Sequence, residues 1–85
     1  MNRLGFIILS ILRQNSADSR LSAMAVSEIV GSEEFEYKEN TIYKKIKEFE
    51  AAGLVSQGLK EGRAATFYIT PGGIQYLEKE RQNEK

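Results

Sequence analysis

The side chains best suited to chemistry lie close together at residues 38–47, where four lysines accompany one glutamate. The same segment holds an amide at Asn40 and a hydroxyl at Thr41. Amide, hydroxyl and ammonium groups can bind the base edges and phosphates of a double helix, and asparagine can pair with adenine through two hydrogen bonds. The segment therefore predicts a nucleic-acid-binding surface.

The chain contains no cysteine and no histidine, so it offers few side chains suited to catalysis or metal binding. This composition excludes thiolate nucleophiles, cysteine–histidine zinc sites and imidazole bases, and the chain has no P-loop or dinucleotide fingerprint. Three clustered acidic residues, Glu33, Glu34 and Glu36, lack the spacing and central glycine of a calcium loop. We expect no enzymatic activity, no cofactor, no metal ion and no small-molecule substrate.

The charges balance overall, with 12 basic and 12 acidic residues, but they are segregated along the chain. Residues 38–47 carry a net charge of +3, whereas residues 28–36 carry four glutamates and no basic residue. DNA-binding domains usually have a basic excess, so the zero net charge argues mildly against nucleic-acid binding. The local concentration of lysines argues for nucleic-acid binding.

Residues 3–14 are predicted to form the first supporting helix, and its apolar residues lie on almost every side. We expect one side to pack in the chain's own core. The other is predicted to meet a second copy in a homodimer through Leu4, Ile8 and Ile11, together with Tyr76; a purely internal role is the alternative. The apolar run is too short to cross a bilayer, so we expect a cytoplasmic protein without membrane contact.

Two more helices are predicted before the strands begin. The second covers about residues 22–31, with Ser22 as its N-cap, although residues 21–25 could instead form a short strand. The third covers about residues 38–52. Its apolar residues recur with helical spacing and predict a face that packs on the first two helices: Ile42, Ile46 and Phe49.

A β-hairpin and a last helix complete the predicted order. Residues 54–57 and 66–70 are rich in β-branched and aromatic side chains, and two glycines in residues 58–65 allow the chain to turn. Thr70 and Pro71 are typical of a helix start, which predicts a helix over about residues 71–82. The fold class is therefore mainly α with a small β-hairpin (α+β), in one domain spanning residues 1–85.

In this arrangement the third helix would enter the major groove of DNA. Its first turn would bring Asn40 and Thr41 to the base edges. Further along the helix, three lysines would bind phosphates or guanine: Lys44, Lys45 and Lys47. Tyr43 would either donate a hydrogen bond to a phosphate or lie at the edge of the core. At the hairpin tip, Lys60 and Arg63 would reach a neighbouring phosphate or the minor groove.

Residues 41–55 and 62–73 carry a family resemblance. The first segment resembles the recognition helix of winged helix-turn-helix regulators, and the second is similar to their wing and the start of the following helix. A Thr-x-Tyr pair at Thr41 and Tyr43 resembles the PadR-like branch. The resemblance implies that the protein is a dimeric repressor that binds palindromic operators, with dimer contacts from the terminal helices.

The sequence thus predicts a double-stranded DNA-binding protein that acts as a small transcriptional regulator, specifically a repressor. Two alternatives remain open. The protein could be a DNA-binding accessory factor in the replication or transfer of a plasmid or mobile element. It could also be a protein-interaction module, because fold alone does not determine function.

Overall fold

The computed structural model describes residues 3–31, 37–60 and 62–82. Their four helices and three strands follow one another as α1 (Arg3–Gln14), β1 (Met24–Ala25), α2 (Val26–Gly31), α3 (Glu39–Ala51), β2 (Val55–Gln57), β3 (Thr66–Ile69) and α4 (Pro71–Gln82). Helices α1, α3 and α4 lie within one residue of the predicted bounds. The acidic cluster Glu33, Glu34 and Glu36 lies outside the described residues.

Helix α1 ends in a Schellman motif in which a serine has the left-handed backbone. The N–H of Ala17 donates to the carbonyl of Leu12 at 2.8 Å, and the N–H of Ser16 donates to Arg13 at 3.2 Å. Ser16 has a φ of 55°, the conformation in which this motif usually has glycine. The chain therefore reverses sharply here, and the carbonyl of Ala17 accepts a 2.8 Å hydrogen bond from the N–H of Ile69 in β3.

The second helix starts later than the sequence predicted, and the strand alternative is confirmed for Met24 and Ala25. These residues pair antiparallel with Phe67 and Thr66, which makes β3 the central strand of a three-stranded sheet in the order β1–β3–β2. Helix α2 begins at Val26, directly after the strand.

The cap of α2 is also different from the prediction. The carboxylate of Glu28 accepts a hydrogen bond of 2.9 Å from the N–H of Ala25, which is one half of a capping box. Ser22 does not cap the helix. It lies in a turn, where its hydroxyl is 2.9 Å from that of Ser19.

The end of α3 and the start of α4 are joined through Thr70. Gly53, with a φ of 79°, ends α3, and the N–H of Leu54 reaches back to the carbonyl of Phe49 at 2.9 Å. The hydroxyl of Thr70 donates to the carbonyl of Gly53 at 2.7 Å and accepts from the N–H of Gly73 at 3.0 Å. Thr70 is thus the predicted cap of α4, and it also holds the carboxyl end of α3.

One apolar core lies between the helices and the sheet. Its largest fully buried side chains come from every long element: Ile8, Leu9, Leu12, Ile29, Ile42, Ile46, Val55, Phe67, Ile69 and Leu77. Each such side chain contributes about 1.5–3 kcal/mol by leaving water. Helix α3 is therefore held firmly along one side.

The core also corrects the predicted dimer surface. Leu4, Ile8 and Ile11 are all at most 4% exposed within the single chain, so these side chains offer no surface to a second copy. Tyr76 is half-buried and packs against the edge of the core. Because the apolar residues surround α1, the sequence did not determine which side of the helix faces outward. The packing of α3 and α4 on α1 determines that side.

None of the helices in the described parts of the chain combines the length and apolar character that a bilayer crossing requires.

Candidate nucleic-acid interface

Helix α3 separates an apolar side from a polar side. Ile42 and Ile46 are fully buried, and Phe49 is 8% exposed. On the other side Asn40, Thr41 and Lys44 are exposed, as are Glu48 and Ala51. The helix thus offers amide, hydroxyl and ammonium groups to a partner while its opposite side is fixed in the core.

Asn40 and Thr41 lie in the first turn of α3. Lys38 is the N-cap residue, with extended backbone (φ −71°, ψ 153°) and no side-chain hydrogen bond to the helix. Its carbonyl accepts hydrogen bonds from the N–H groups of Thr41 at 3.0 Å and Ile42 at 3.2 Å. Among the described residues no side chain caps this first turn, so the side chains of Asn40 and Thr41 are not used as caps.

Tyr43 joins this surface to the sheet. Its ring meets the ring of Phe67 edge to face, with centroids 6.4 Å apart and planes at 70°. Phe67 is fully buried, whereas Tyr43 is 43% exposed. Tyr43 therefore lies at the core edge with part of its ring in solvent, so both interpretations of this residue drawn from the sequence remain compatible with its position.

Two of the predicted lysines are paired with glutamates on the same helix. Lys47 Nζ lies 2.5 Å from Glu50, and Lys45 Nζ lies 3.3 Å from Glu48. The hydrogen bond that Lys47 donates to the carboxylate of Glu50 raises the pKa of Lys47, because it stabilises the protonated form. These two ion pairs are not among the features predicted from the sequence, although the i,i+3 spacing of the charges indicates them.

The hairpin loop is fixed to the segment that follows α1. The N–H of Gly58 donates to the carbonyl of Thr66 at 3.0 Å, and the N–H of Leu59 donates to the carbonyl of Arg20 at 3.2 Å. Beyond these contacts Lys60 and Arg63 are exposed. Nothing in the local sequence indicated that the loop before β1 supports the hairpin, because the contact joins residues distant in the chain.

Among residues 3–31, 37–60 and 62–82, no three acidic side chains lie close enough to hold a metal ion.

Comparison with known proteins identifies the family. The DNA-binding protein TubR of Clostridium botulinum C phage is 30% identical over 78 residues, which are 92% of this chain and 94% of the relative. The chain belongs to the TubR family. No protein-family model matches it.

Solved structures agree with membership of the TubR family. TubR from Bacillus megaterium pBM400 superposes with a TM-score of 0.78 at 26% identity, over 92% of this chain and 83% of that one. A PadR family transcription regulator from Clostridium difficile R20291 gives a TM-score of 0.75 at 21% identity, covering 96% and 86%. The α+β winged-helix fold is confirmed, and the PadR family regulator shares this fold with the chain.

Proposed function

We propose that this chain binds double-stranded DNA as a small transcriptional regulator, specifically a repressor, with α3 in the major groove. The observation that carries the proposal is the exposed side of α3, where Asn40, Thr41 and Lys44 face solvent while Ile42 and Ile46 are fully buried. A single helix of this kind fits the major groove of B-form DNA. The TubR relative, which is named as a DNA-binding protein, supports the same proposal.

The hairpin would bind the same duplex on its backbone or in its minor groove. The contact of Tyr43 with Phe67 places the outward surface of α3 beside the central strand of the sheet from which the hairpin extends. Lys60 and Arg63 in the hairpin loop are exposed and carry positive charge. We expect these cations to meet phosphates on the flank of a duplex that lies against α3.

The exposed groups divide into two kinds of contact. Asn40 and Thr41, in the first turn, would select bases through hydrogen bonds and a methyl contact. Lys44 and Arg63 would hold phosphates, which orients the protein but carries no sequence information. This is a binding function without catalysis, and we place it in the cytoplasm.

Titration of labelled duplexes at two or more salt concentrations tests the proposal. Random-sequence and upstream genomic duplexes are compared, and log K is expected to fall with log salt by about 0.9 for each phosphate neutralised. A preferred duplex should bind more tightly than the random one at every salt concentration. Absence of salt-dependent binding to any duplex would reject the proposal and leave a protein-interaction module.

A role in the replication or transfer of a mobile element is the second candidate, and the phage origin of the TubR relative favours it. Footprinting across the genome that encodes the chain separates the two roles. Protection at a promoter supports a repressor, whereas protection at a replication or transfer origin supports the accessory role.

We also propose a homodimer, because a chain of 85 residues buries only about 60–65% of its unfolded surface and gains from association. Since Leu4, Ile8 and Ile11 are internal, the partner would meet Phe6 and Ile7 of α1, which are partly exposed, together with Tyr76. Sedimentation equilibrium should give twice the chain mass, and Phe6→Asp should lower it to the chain mass. A single-chain mass for the unmodified protein at all concentrations would reject the dimer.

A further inference from the structure

The three lysines of α3 are unequally available to a ligand. Lys45 is paired with Glu48, and its Nζ also lies 5.9 Å from the centroid of the Phe49 ring. Lys47 is paired with Glu50 at 2.5 Å. Within the described residues Lys44 has no such ion pair, so one lysine is available and two are held by carboxylates.

Of the two carboxylates, Glu50 has the stronger hold on its lysine. Its side chain is 28% exposed, compared with 67% for Glu48, so it has less freedom to swing into solvent. The ammonium–carboxylate distance is also shorter by 0.8 Å, the difference between 3.3 and 2.5 Å. The hydrogen bond to Glu50 raises the pKa of Lys47, which agrees with a firm contact.

We propose that Glu50 limits the affinity of this protein for duplex DNA of any sequence by restraining Lys47, without taking part in the choice of base. This inference rests on the proposed DNA-binding function. Glu50 is not among the residues expected to touch DNA. It acts on binding through its neighbour.

The physical reason is competition between two anions for one ammonium group. A phosphate that approaches Lys47 must displace the carboxylate of Glu50, and the cost of breaking that pair is subtracted from the binding free energy. Phosphate contacts supply the sequence-independent part of the affinity, whereas base-edge hydrogen bonds supply selection. Removing the charge of Glu50 should therefore strengthen binding to every duplex by a similar factor.

Glu50→Gln tests the inference, because it keeps the size of the side chain and removes its charge. We expect affinity for random and preferred duplexes to rise together by about two- to fivefold, the range that corresponds to one exposed ion pair. The slope of log K against log salt should steepen by up to about 0.9. Glu78→Gln, an exposed position on α4, makes the same change in net charge and is the matched control.

A double-mutant cycle with Lys47→Ala shows whether Glu50 acts through Lys47. In the Lys47→Ala background, Glu50→Gln should raise the affinity no more than Glu78→Gln does. Two outcomes would overturn the inference while leaving DNA binding intact. In the first, Glu50→Gln raises the affinity by the same factor with and without Lys47→Ala. In the second, Glu50→Gln and Glu78→Gln have equal effects on the affinity of the otherwise unmodified protein. If the unmodified protein bound no duplex, the proposed function and this inference would both be rejected.

Discussion

The ring of Tyr43 on α3 stands edge to face against the ring of Phe67 on β3, with 6.4 Å between their centroids. One ring is fully buried and the other is 43% exposed, so the contact runs from the core to the outward surface of α3. It joins the helix proposed to enter the major groove to the sheet that carries the hairpin. The relative position of the two parts that are proposed to face DNA therefore depends in part on this pair.

Replacing Tyr43 separates the ring contact from the hydroxyl. Tyr43→Ala should lower the free energy of unfolding by at least about 0.5–1.5 kcal/mol, the usual contribution of an aromatic pair beyond its buried area. Tyr43→Phe keeps the ring and should unfold in urea almost like the unmodified protein. Equal urea midpoints for the alanine and phenylalanine variants would contradict a stabilising contact between Tyr43 and Phe67.

Asn40→Ala should change the choice of base more than the general affinity. The side chain lies exposed in the first turn of α3 and is not used as a helix cap. Losing a bidentate contact to a base should cost about 1–3 kcal/mol for the preferred duplex and little for a random one. Competition binding with single-base variants of the preferred duplex measures this, and equal losses on all duplexes would contradict a role in selection.

Lys44→Ala and Arg63→Ala should weaken binding to all duplexes alike. Each removes one exposed cation, so each should make the slope of log K against log salt shallower by about 0.9 if it holds one phosphate. Lys79→Ala removes an exposed cation from α4 and is the control for net charge. Slopes that match this control would show that Lys44 and Arg63 do not touch the phosphates.

Adjacent glycines at the start of α4 should respond in opposite directions to alanine. A Cβ on Gly73 would collide with the backbone carbonyl of Leu54 and with Ile69, so Gly73→Ala should destabilise the fold. A Cβ on Gly72 would meet its nearest neighbour at 3.5 Å, an ordinary contact. Gly72→Ala should therefore add about 0.4–1 kcal/mol by restricting the unfolded chain. Thermal unfolding of both variants measures the difference, and effects of the same sign would contradict the close packing of Gly73.

Ser16→Gly should stabilise the protein. Ser16 has a φ of 55°, a backbone conformation that costs an L-residue roughly 1–2 kcal/mol and costs glycine little. Since glycine gains entropy in the unfolded chain, the net gain should be smaller, at most about 1 kcal/mol. Ser27→Gly, at an exposed position in α2, should instead destabilise by roughly half a kcal/mol through helix propensity. A lower unfolding midpoint for Ser16→Gly would contradict backbone strain at this position.

Features with local causes could be predicted from the sequence. Helix α3 was found from the spacing of Ile42, Ile46 and Phe49, and its end from Gly53, because a repeat of side chains and a left-handed glycine act within a few residues. Thr70 and Pro71 indicated the start of α4 for the same reason. The exposure of Asn40, Thr41 and Lys44 followed once the buried side of α3 was known.

Tertiary structure decided everything that depends on residues distant in the chain. Met24 and Ala25 form a strand instead of a helix start because Phe67 and Thr66 offer them the free side of β3. Leu4, Ile8 and Ile11 are internal because α3 and α4 cover them, although an all-apolar helix could have faced either way. Periodicity in a sequence reveals which side of an element is apolar, but only the assembled neighbours determine which apolar surface remains exposed.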